Sequence, residues 1–95
     1  MSAKTLSSKY IDSAERVMAK LEQVEGDRII TKAQVQKILD YVKDYLEDAK
    51  YYKVQERFET SLTSVAYCEG LLDALRLLGT VRFEWPITNG EIKKK

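Results

Sequence analysis

Glu69 and Asp73 stand four residues apart, and Arg76 follows three residues later. On a helix this spacing sets all three on one face. Two carboxylates so placed could begin a divalent-cation site, or one could be tuned for acid–base work. A magnesium or calcium site asks for more oxygens than this stripe offers, and Arg76 supplies Asp73 with a counter-ion. Glu69, Asp73 and Arg76 are therefore read as a polar surface site. Asp40, Asp44 and Asp48 form a second acidic ladder, but Lys37, Lys43 and Lys50 are interleaved with it, as on a solvated face. Tyr41, Tyr45 and Tyr52 fall along one edge of an apolar arc, a ridge on which bases or a ligand ring could stack. Basic residues do not cluster on that edge, so the rings are read as core-boundary packing with their hydroxyls at the rim. Cys68, the single cysteine, sits among apolar residues with no activating partner and is read as a small core residue.

The residue types that are missing narrow the chemistry further. There is no histidine, which removes the usual general base and the usual transition-metal ligand. One cysteine allows neither an intrachain disulfide nor a thiolate cluster, which fits a reducing cytoplasm. No nucleophile–base pair is visible. The expectation is a protein that is not an enzyme, with no cofactor and no bound metal. A formal net charge of +1 gives the whole-molecule field no bias toward nucleic acid. The longest charge-free run, Thr60 to Cys68, is far short of the roughly 20 residues that cross a bilayer. The first residues lead into an amphipathic stretch rather than an apolar targeting segment. The run Lys93-Lys94-Lys95 reads as a frayed end.

These side chains need helices to position them. The chain has 95 residues, 44% hydrophobic and 33% charged, the balance of one small folded domain spanning 1–95. Strand alternation is not sustained anywhere before Gly79, and proline is absent until Pro86. Tyr10, Ala14, Val17, Leu21 and Val24 recur at helical spacing and predict a first helix over about 5–25, ended by Gly26-Asp27. Thr31-Lys32-Ala33-Gln34 reads as a capping box that opens a second helix over about 31–54. Beyond Val54 no breaker occurs, yet the apolar register jumps. Phe58, Leu62, Val65, Leu72 and Leu75 lead the positions that the second helix would continue by two residues, about 200° of rotation. One continuous helix would turn its halves to opposite sides, so the chain must reverse near Lys53–Arg57. A third helix then covers about 56–78, and an irregular tail 80–95. Gly70 inside that helix is read as a point of close approach by a neighbour.

One stretch also carries a resemblance. Tyr51-Tyr52-Lys53, Phe58, Leu62 and the block Ala66-Tyr67-Cys68-Glu69-Gly70-Leu71-Leu72-Asp73-Ala74-Leu75-Arg76-Leu77-Leu78-Gly79 resemble the short archaeal proteins of domain-of-unknown-function family 357 (DUF357). Members typically carry Lys-Gly-Asp between the two blocks, where this chain has Gln55, Glu56 and Arg57, and alanine where it has Ser61. The resemblance implies a small helical, archaeal, cytoplasmic domain. It implies no activity and transfers no functional residue.

The expected fold is all-α, a three-helix up-down-up bundle with a short irregular C-terminal tail. The third helix has apolar residues over about half its circumference, wider than one packed face requires. Leu71, Leu77 and Leu78 near its end need a cover, supplied either by the tail through Phe83 and Trp85 or by another protein surface. The expected function is a non-enzymatic protein-interaction or self-association module, with a protein partner or a second copy bound at Leu71, Leu77, Leu78, Phe83 and Trp85. The alternative is a weak nucleic-acid-associated protein that uses lysines and the Tyr41/Tyr45/Tyr52 ridge. No membrane association is expected.

Overall fold

A computed structural model describes residues 2–86. Lys93-Lys94-Lys95 and the last part of the tail lie outside the described residues. Within them there are three helices and no strand: α1 (Ala3–Lys20), α2 (Lys32–Val54) and α3 (Phe58–Leu77).

The capping box of α2 is present in both directions. The Gln34 amide donates to Thr31 Oγ1 at 3.1 Å, and the Thr31 amide donates to Gln34 Oε1 at 2.9 Å. Two of the orphan amides at the helix start are satisfied this way.

The reversal between α2 and α3 falls where the register jump requires it. Glu56 N donates to Lys53 O at 3.0 Å and Arg57 N to Tyr52 O at 2.9 Å. This is the paired closure of a Schellman motif, and it puts Glu56 at φ 60°, in the left-handed region where glycine is at ease. Glu56 is the position at which the DUF357 pattern has glycine, so the chain keeps the turn and bears a left-handed cost of about 1–2 kcal/mol. α3 then starts at Arg57 with no side-chain cap, where the same pattern has aspartate, a good N-cap. Arg57 instead lays its guanidinium 4.9 Å from the centre of the Tyr52 ring.

α2 and α3 pack as an antiparallel pair. Two bonds across the seam fix the register: Ser61 Oγ donates to Ala49 O at 2.7 Å, and Cys68 Sγ donates to Val42 O at 3.3 Å. Ser61 and Cys68 are seven residues apart on α3, as Val42 and Ala49 are on α2. Small residues on both sides let the backbones approach closely enough for a side chain of one helix to reach a carbonyl of the other. Val42, Ala49, Cys68 and Leu75 form the buried apolar core, with Ser61 buried beside them. Val35, Ile38, Leu39, Val65 and Leu72 flank the seam half-buried.

α3 ends in a second Schellman closure. Gly79 at φ 78° donates to Arg76 O, and Thr80 donates to Leu75 O from its amide at 3.1 Å and its hydroxyl at 2.8 Å. Gly70 does not have the role read from the sequence. A Cβ placed there would meet nothing within 4 Å, because the residue faces away from α2.

The expected place of α1 as third leg of the bundle is not confirmed. α1 packs against neither α2 nor α3. It starts at a Ser2 cap, whose hydroxyl accepts from the Thr5 amide at 3.1 Å, and it stops at Lys20, five residues before the expected end. At Leu21 the backbone becomes extended, ψ 135°, so Leu21 and Val24 belong to an extended link over 21–31 rather than to the helix. Within α1 only Leu6 is half-buried; Tyr10, Ile11, Val17 and Met18 are exposed.

Candidate functional site

The polar group on α3 is assembled around Asp73. Its Oδ1 accepts from Arg76 Nε at 3.2 Å, as the three-residue spacing suggests, and from Trp85 Nε1 at 2.9 Å. Trp85 comes from the tail, twelve residues on, and nothing in the sequence pattern pointed to it. The Schellman closure at Gly79 turns the chain back so that the tail runs along the flank of α3 carrying Asp73 and Arg76. Phe83 meets Trp85 edge-on with ring centres 4.9 Å apart, and the Arg76 guanidinium lies 5.9 Å from the Phe83 ring centre. Asp73, Arg76, Phe83 and Trp85 are all half-buried. A carboxylate oxygen that receives a guanidinium and an indole N–H serves to fasten the tail. Glu69, one turn earlier, stays exposed and outside this cluster. Among the described residues no group of three or more His, Cys, Asp or Glu side chains could hold a metal ion. Arg76, Gly79, Val81, Arg82, Phe83 and Glu84 line a wide, open depression beside the tail.

Cys68 lies in the seam. Burial, and then the negative charge of Glu69, push its thiol above the ordinary 9.0, so the neutral S–H that donates to Val42 O is the stable form at neutral pH. A thiol held protonated is a poor nucleophile.

The three tyrosines are not an open stack. Tyr45 is half-buried and meets Tyr67 of α3 with ring centres 4.4 Å apart. Tyr52 is half-buried between Tyr51, 5.3 Å away, and Arg57. Tyr41 is exposed.

The five residues expected to share one interface are divided. At 100° per residue, Leu71 and Leu78 lie with Tyr67 on one flank of α3, whereas Asp73 and Arg76 lie on the other. The tail therefore brings Phe83 and Trp85 to the Asp73 flank and leaves Leu78 uncovered. Leu77, which points away from α2, is 76% exposed, and Leu78 is 61% exposed; Leu71 is half-buried. Toward the turn, Phe58 and Leu62 are exposed as well.

A family model described as a protein of unknown function, DUF357, matches residues 9–81. The chain belongs to the DUF357 family. The match extends well beyond the stretch that carries the resemblance. It takes in most of α1, the link, the hairpin and the start of the tail, so the DUF357 unit includes the helix that stands apart here. No curated protein and no solved structure matches the chain. Among the described residues, no helix of this DUF357 protein is long and apolar enough to cross a membrane.

Proposed function

We propose that this DUF357 chain is a non-enzymatic helical interaction module that docks protein through the apolar flanks of its α2–α3 hairpin, Leu77 and Leu78 included. The observation that supports this is the ratio of covered to uncovered apolar surface. Among the described residues four hydrophobic side chains are buried, while Tyr41, Leu46, Phe58, Leu62, Tyr67, Leu77 and Leu78 of the hairpin are exposed. Exposed apolar surface on this scale marks an interface more often than it marks a free face. A protonated, buried Cys68 and a carboxylate engaged by Arg76 and Trp85 support the non-enzymatic part of the reading. The single reduced cysteine agrees with a cytoplasmic setting. The nucleic-acid alternative gains no support, since two of its three rings are taken up by contacts within the chain.

An apolar fluorescent dye tests the reading. At concentrations where light scattering reports a monomer, the native protein should bind it, and Leu78→Glu should bind less while keeping its helical circular dichroism. A native monomer that takes up no dye would mean that the flanks are covered within the chain, and the reading would fail.

A further inference from the structure

We draw no further inference here: the strongest candidate, the exposed apolar flank of α3 around Tyr67 and Leu78 together with the apolar face of α1, which packs against neither α2 nor α3, carries nothing because nothing in the structure shows what covers either surface.

Discussion

α1 and α3 are helices of nearly equal length in one small chain, and they are held by different means. α3 has a partner helix, a tight left-handed turn before it, a Schellman closure after it, and two side chains that reach across to carbonyls of α2. α1 has a serine cap, an Arg16–Asp12 ion pair at 3.1 Å on a solvated face, and no packing against either of the other two helices. Caps and exposed i,i+4 pairs each contribute about 1 kcal/mol or less, and isolated helices of this length are marginal in water. Periodicity alone does not separate the two helices. What separates them is whether an apolar face has somewhere to go.

The widest gap between the regions should appear on truncating an apolar side chain in each. Leu75→Ala removes a side chain only 4% exposed and should cost about 2–5 kcal/mol, a large part of the stability of so small a fold. Met18→Ala, at concentrations where light scattering reports a monomer, should stay within about 0.5 kcal/mol of the parent. Urea unfolding of both variants measures this. Equal costs would show that α1 belongs to the same packed unit as α3.

A smaller effect of opposite sign should come from the turn. Glu56→Gly relieves the left-handed cost while keeping the two closing bonds, and should raise stability by about 1 kcal/mol. The matching glycine in α1, in place of exposed Ala14, should lower local helicity by circular dichroism at a cost of about 1 kcal/mol. A neutral or destabilising Glu56→Gly would mean that the Glu56 side chain contributes a contact that the turn geometry does not reveal.

The smallest energetic effect belongs to the tail. Asp73→Ala removes the acceptor shared by Arg76 and Trp85, and in this half-exposed setting should cost less than about 1 kcal/mol. It should nevertheless open Trp85, the one tryptophan, to a soluble quencher. Unchanged quenching would show that Phe83 and Trp85 hold the tail without Asp73.

The sequence was informative where structure is local. Thr31 and Gln34 announce the start of α2 because both capping bonds span three residues. The reversal near Val54 is legible without a breaker because a 200° phase jump leaves no other way to keep Val65, Leu72 and Leu75 coherent with α2; Phe58 and Leu62, read on the same face, are exposed instead. The Asp73–Arg76 pair follows from its spacing. The end of α1 at Lys20 is not legible, since Leu21 and Val24 continue the helical period while their backbone leaves it. The bond from Trp85 to Asp73 is not legible either, because it depends on where a glycine-closed turn aims the tail. Ser61 and Cys68 show an intermediate case. Their seven-residue spacing places them together on the inner face of α3, but the carbonyls that they reach become visible only once the two helices are set side by side. The division of the proposed interface has the same origin: the angular spread of α3 shows that Leu71 and Leu78 need a cover, and only the path of the tail shows that Phe83 and Trp85 cover something else.

The left-handed turn at Glu56 also bears on the order of events as the chain folds. Every contact of the seam lies on nested loops around that turn, Ala49 with Ser61 innermost and Val42 with Cys68 next. The entropy of closing a loop is smallest for the innermost pair, so the hairpin zips outward from the turn. The strained residue thus sits in the nucleus, and its cost is met before most of the native contacts exist. Relieving it would quicken folding far more than it would slow unfolding.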